Sequence, residues 1–168
     1  MSGGGVNPVL SLVSRTDTLA EGFRQVHQAS LPLIPNLQQT YHQVQGSWTP
    51  EIENYAEDIF SKIRDILQHM EKTVEEMMNL LYQVDIYLSD STTQLAAGFN
   101  PKEALDHVSA SVHSYQSELL SKRELLADLT CEEITIEEFS SQWRTLNEVE
   151  AGKKQDLDSL ADMFAGFG

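Results

Sequence analysis

The chain has 168 residues, a hydrophobic content of 40 % and a formal net charge of −15. That length suffices for one domain with a hydrophobic core, and the hydrophobic content excludes a wholly disordered chain. The strong negative charge argues against direct nucleic-acid binding and against anionic membranes, because both depend on lysine and arginine.

The N-terminal part of the chain predicts a helix that prolines interrupt. Residues 1–6 are glycine-rich and are expected to form a flexible lead-in. Asn7-Pro8 is a cap followed by proline, which is typical of a helix start, and an apolar heptad row that includes Leu19 and Val26 follows it. Pro32 and Pro35 should break this helix, yet the apolar phase continues through them. The pattern predicts either one sharply kinked helix or two nearly collinear helices.

The longest predicted helix, Pro50–Leu88, organises the rest of the chain. Thr49 and Pro50 provide its N-cap and first turn. Two adjacent apolar rows follow the helix, one in heptad phase and one beside it. Their members are Ile52, Ala56, Ile59, Ile63, Ile66, Met70, Thr73, Met77, Leu80, Val84 and Tyr87, with Phe60, Leu67, Val74, Leu81 and Leu88. A face this wide suits packing against several neighbouring helices.

Two further helices are predicted after a connector at Ser89–Asn100. The first starts at Asn100-Pro101 and keeps a heptad row from Leu105 to Leu129, in which Lys122 is the one charged member. The second starts at a capping box, Thr135-Ile136-Glu137-Glu138, and is shorter. Its apolar side carries Ile136, Phe139, Trp143 and Leu146.

These elements predict an all-α protein. We expect an elongated up-down bundle of three long helices plus a short fourth helix and a mobile C-terminal tail. The bundle would be a single domain over residues 7–150, and residues 151–168 would form the tail.

The residues that usually carry chemistry are scattered. No two of the five histidines have the spacing that places both rings on one metal ion. Cys131 is the only cysteine and lies beside two glutamates, which should raise the pKa of its thiol rather than activate it. The sequence therefore predicts neither an enzyme, nor a metal site, nor a cofactor.

Two segments stand out as candidate protein-interaction sites. In the first, Lys122 and Arg123 form a basic pair that could anchor an acidic partner, or could lie over the core with their charges reaching solvent or a nearby acid. The second is an acidic, aromatic C-terminal segment that could dock in a partner's groove or on its own bundle. The candidate residues are Tyr115, Glu118, Leu119, Lys122, Arg123 and Trp143 in the first segment, and Leu157, Leu160, Met163, Phe164 and Phe167 in the second.

The stretch Tyr115-x-x-Glu118-Leu119-Leu120-x-Lys122-Arg123 resembles the cyclin-dependent kinase 2-interacting protein family, and the resemblance extends over residues 115–146. The first half of the chain is more similar to a related family of small helical ribosome maturation factors. That similarity lies at Leu31-Pro32-Leu33-Ile34-Pro35-Asn36-Leu37.

The resemblance implies a non-catalytic adaptor in a hetero-oligomer with another helical adaptor. It further implies docking on a hexameric AAA-type ATPase that remodels pre-60S ribosomal particles or replication-linked complexes. No targeting segment is found, so the nucleus, the cytoplasm or both are expected, without a membrane partner. The alternative is a coiled-coil tether subunit of a kinetochore, augmin or vesicle-tethering complex, which would expose its heptads.

Overall fold

The computed structural model describes residues 8–44, 46–89 and 101–153. These residues form helices and turns and contain no β-strand, so the all-α prediction is confirmed. The helices are α1 (Pro8–Ser30), α2 (Leu33–His42), α3 (Pro50–Ser89), α4 (Pro101–Thr130) and α5 (Ile136–Trp143). A further helical segment covers residues 147–153.

The prolines divide the first predicted helix into α1 and α2. α1 ends at Ser30, and α2 begins at Leu33, directly after Pro32. Pro35 lies in the first turn of α2, where a backbone N–H has no intrahelical acceptor and its loss costs little. Only Pro32 therefore marks the break, although both prolines had been expected to contribute to it.

α3 begins where the sequence predicts. The Ile52 amide donates to the Thr49 hydroxyl over 3.2 Å, which satisfies one of the free N–H groups at the helix start. Gly46, in the turn before α3, has a φ of 91°, a backbone conformation that glycine adopts without steric cost.

The three long helices contact each other pairwise. Asp17 and Arg24 of α1 lie beside His107 and Tyr115 of α4 respectively, so these two helices run in the same direction. α3 runs opposite to α4, because its residues Glu71 and Met78 meet Arg123 and Gln116 in reverse order. α2 packs on α3 and α5, and α5 also packs on α4.

The buried face of α4 matches the predicted heptad row. Leu105, Val108, Val112, Tyr115, Leu119, Lys122, Leu126 and Leu129 are all buried. The interior face of α1 differs from its predicted row, because Ala20 and His27 are buried where Leu19 and Val26 were expected and are only half-buried. The neighbours of α1 therefore meet it on a slightly rotated face.

α5 starts at the predicted capping box. The Thr135 hydroxyl accepts from the Glu138 amide over 3.1 Å, and the backbone of Thr135 is extended. After α5, a Cβ at Gly152 would overlap the Ser114 hydroxyl, so the 147–153 helix approaches α4 closely. Residues 154–168 of the predicted tail lie outside the described part of the chain. They include the candidate residues Leu157, Leu160, Met163, Phe164 and Phe167.

The buried rows can be tested with two leucines. Leu80 is 1 % exposed on α3 and Leu120 is 54 % exposed on α4. We expect Leu80→Ala to lower the free energy of unfolding by about 2–5 kcal/mol, because it leaves a cavity. Leu120→Ala makes the same chemical change at the surface and should cost less than about 0.5 kcal/mol. Urea unfolding followed by circular dichroism measures both. Equal losses for the two variants would show that α3 is not packed as described.

Candidate protein-interaction site

The candidate residues of α4 lie mainly inside the protein. Tyr115, Glu118, Leu119 and Lys122 are all buried, and so is Trp143 of α5. The Lys122 side chain is 1 % exposed and lies beside Glu118, so its charge reaches a nearby acid rather than solvent. Contact of these residues with a partner protein stays a prediction.

The Lys122 ammonium binds the C-terminal end of α5. Its Nζ donates to the backbone oxygens of Gln142 at 3.2 Å and Trp143 at 2.9 Å, and to that of Thr145. A helix C-terminus has free carbonyl groups and a partial negative charge, which suit a cation. The ammonium also lies 5.5 Å from the centroid of the Trp143 ring.

Glu118, one helical turn earlier on α4, binds the N-terminal end of the next helical segment. Its Oε1 accepts from the amides of Glu148 at 3.2 Å and Val149 at 3.5 Å, at the start of the 147–153 helix. A carboxylate is favoured there, because a helix N-terminus has free N–H groups and a partial positive charge. The Oε2 of Glu118 is 3.7 Å from the Lys122 ammonium. The pair therefore fixes both ends of the loop at residues 144–146.

Burial acts on the pKa of both members of this pair. It raises the pKa of the Glu118 carboxyl, while Lys122 and the two backbone amides act in the opposite direction. Burial lowers the pKa of the Lys122 ammonium, and Glu118 opposes that change. Each charge thus removes part of the desolvation cost of the other.

A second buried set joins α5 to the end of α1. Nε2 of His27 donates to the Trp143 carbonyl over 2.7 Å, which requires the Nε2–H tautomer in the neutral ring. The Trp143 indole donates to the Ser30 hydroxyl over 2.9 Å, and that hydroxyl donates to the His27 carbonyl over 2.5 Å. Burial, together with nearby Lys122, lowers the pKa of His27, although its bond to Trp143 opposes this.

Two of the candidate residues bridge long helices. The Tyr115 hydroxyl accepts from the Arg24 guanidinium over 2.7 Å, and its ring meets Phe23 edge-on at 5.0 Å. Arg123 turns outward and forms a half-exposed ion pair with Glu71 of α3 at 2.6 Å. Most of the candidate residues within the described part of the chain therefore hold helices together.

Helices α3 and α4 carry an exposed apolar patch that was not predicted from the sequence, which we call the α3–α4 patch. It consists of Met78, Tyr82 and Leu120, and Tyr82 is 71 % exposed. Met78 and Tyr82 are one turn apart on α3, and Gln116 of α4 contacts the Met78 sulfur at 3.7 Å. Leu120 lies one turn beyond Gln116 on α4, so the patch crosses the helix pair. The sequence does contain a signal for this patch, because Met78 and Tyr82 lie outside the two predicted rows of α3 and Leu120 lies outside the predicted row of α4.

Comparisons with protein-family models, with curated proteins and with solved structures find no match to this chain. Within the described ranges, no group of three or more histidine, cysteine or acidic side chains is placed to hold a metal ion. No described helix combines the length and the apolar character required to cross a membrane.

The buried pair can be tested with a double-mutant cycle. Lys122→Met leaves the Glu118 carboxylate and the α5 carbonyls without their cation, so we expect a loss of about 3–5 kcal/mol. The double variant, Lys122→Met with Glu118→Gln, should lose at least about 1 kcal/mol less unfolding free energy than the sum of the losses of the two single variants. Arg123→Met removes a half-exposed ion pair and should cost less than about 1 kcal/mol. Denaturant unfolding gives all four values, and strict additivity would contradict the pairing.

The lowered pKa of His27 predicts a pH dependence of stability. Below its ordinary value of 6.5 the unfolded chain binds a proton on this ring that the folded chain does not bind. The free energy of unfolding should therefore fall as the pH falls from 7.5 through 6.5. His27→Gln keeps an N–H donor without a titratable ring, so the difference between wild type and variant isolates this effect. A difference that stays constant between pH 7.5 and 6 would contradict it.

Proposed function

We propose that this protein is a non-enzymatic helical adaptor subunit that binds protein partners through the α3–α4 patch. Its framework is an elongated up-down bundle built on the long helices α1, α3 and α4. The patch is the observation that carries the proposal, since exposed apolar side chains that lie near one another on a domain commonly mark an interaction surface. Tyrosine and methionine, both present here, are enriched in such surfaces.

The burial of the heptad rows supports an adaptor over a tether. A tether uses its heptads to pair with other chains, whereas most described members of the α3 rows are buried against the other helices of the same chain. Ile63, Met70 and Met77 are fully buried. The exposed apolar residues lie outside these rows, which leaves a small surface for partners rather than an extended seam.

The finer part of the proposal rests on the resemblance over residues 115–146. It implies another helical adaptor and a AAA-type ATPase as partners, in ribosome maturation or replication-linked complexes, with the nucleus as one place of action. The buried positions of Tyr115, Glu118 and Lys122 suit a motif that preserves the packing of α4 against α5. We therefore assign partner binding to the exposed residues of the α3–α4 patch, of which only Leu120 belongs to the motif, and the C-terminal segment stays a further candidate.

The proposal can be tested by affinity purification of the tagged full-length chain from nuclear extract, followed by mass spectrometry. Tyr82→Glu combined with Leu120→Glu places two charges in the α3–α4 patch. We expect the melting temperature of this variant to be close to that of wild type. The amount of each specific partner recovered with it should fall at least about tenfold, because a desolvated unpaired charge at an interface is costly.

Tyr55→Glu is the matched control. Tyr55 is 54 % exposed on the same helix, about 40 Å from Tyr82 along the axis. It should retain all partners. Undiminished recovery by the patch variant would remove the patch from the interface, and recovery without any AAA-type ATPase would contradict the finer proposal.

A further inference from the structure

An open groove lies at the end of the bundle where α2, the start of α3 and the end of α4 meet. It has a volume of about 550 Å³, which is within the usual range of binding pockets. Its aromatic wall consists of Tyr41, Trp48 and Phe60, and the rings of Tyr41 and Trp48 meet edge-on at 5.1 Å. Tyr41 and Trp48 remain half-exposed. We call it the aromatic groove.

The rim of the aromatic groove is acidic. Glu53, Glu57 and Glu132 line it and are exposed. Arg64 is the one cation in the described lining, and its guanidinium is paired with Glu57. Two rim carboxylates thus have no cation among the lining residues.

Glu132 has an unusual backbone. Its φ of 59° makes it the one non-glycine residue with positive φ in the described ranges. The Glu132 amide donates to the Leu129 carbonyl at 3.1 Å and the Glu133 amide to the Asp128 carbonyl at 2.8 Å, which is the pattern that usually has glycine at this position. A side chain is less stable than glycine in this backbone conformation, so a carboxylate stands at the rim where glycine would be more stable.

We propose that the aromatic groove binds a basic segment of a partner protein, with a lysine or arginine beside a leucine or an aromatic residue. The cation would lie between the rim carboxylates and over the ring of Tyr41 or Trp48, and the apolar neighbour would contact Phe60 and Leu129. This site is distinct from the α3–α4 patch, because Phe60 and Tyr82 are about 33 Å apart along α3.

Charge decides between the possible occupants. The whole chain carries a net charge of −15, so it attracts basic segments from a distance as well as at the rim. Burial and, secondarily, the negative charge of Glu132 raise the pKa of Tyr41, which is consistent with a negative potential inside the groove. The C-terminal sequence of this chain contains Asp156, Asp158 and Asp162 and has the wrong sign for this rim.

Trp48 provides a local measurement of binding. The chain has two tryptophans, and the other, Trp143, is fully buried. The probes are two synthetic 14-residue peptides without tryptophan and with identical leucine spacing, one with lysine and arginine at its polar positions and one with glutamate. The basic peptide should shift the emission of the full-length protein in a saturable way. Trp48→Phe should abolish the shift, and the acidic peptide should cause none.

Variants of equal charge separate the groove from general attraction. Glu53→Gln with Glu132→Gln removes two rim charges, and Glu75→Gln with Glu76→Gln removes two exposed charges elsewhere on α3. We expect the rim pair to weaken binding of the basic peptide at least fivefold and the control pair less than twofold. Glu132→Gly should raise the melting temperature while it weakens binding, an outcome that a purely structural role would not give.

Several results would overturn the proposal. They are equal effects of the rim and control pairs, an equal response to the acidic peptide, and an unchanged Trp48 emission with both peptides. Because the α3–α4 patch variant leaves the groove intact, it should bind the basic peptide normally. Failure of the groove can therefore be told apart from failure of the proposed function.

Discussion

The buried Lys122–Glu118 pair is the interaction on which the C-terminal part of the fold depends. An ammonium and a carboxylate, each 1 % exposed, would be strongly destabilising alone. Here each meets the helix end of opposite sign, so one turn of α4 holds the end of α5 and the start of the 147–153 helix. With 8 residues, α5 could not be stable in isolation, because it is below the length at which helices persist in water. The charges of the pair therefore supply stability that the length of α5 does not.

The same region couples the break between α1 and α2 to the position of α5. Pro32 ends α1 just after Ser30, whose hydroxyl accepts from the Trp143 indole. The Trp143 carbonyl receives both the His27 ring and the Lys122 ammonium, so helices distant in sequence share one acceptor. Removal of any member leaves another buried polar group without its partner, which is why this network should fail as a unit.

Periodicity and capping residues predicted much of the helical framework. Thr49 and Thr135 mark real helix starts, and the whole predicted row of α4 is buried. The pattern could place Lys122 on the buried face, but it could not show which groups accept hydrogen bonds from its ammonium, because the Gln142 carbonyl lies at the end of α5, twenty residues later. For the same reason the His27 contact and the exposed patch were missed. Contacts between distant segments depend on tertiary packing, which local spacing does not encode.

The location of each charge separates structural from recognition roles. Glu118 is neutralised by Lys122 and by backbone amides, so it has no remaining capacity for an external partner. Glu53 and Glu132 face a groove whose one described cation is already paired with Glu57. Stability alone would favour glycine at position 132, where the backbone has positive φ, whereas a carboxylate is present. An interior acid that is fully satisfied and a rim acid that costs stability therefore have different tasks, and only the second is available to a partner.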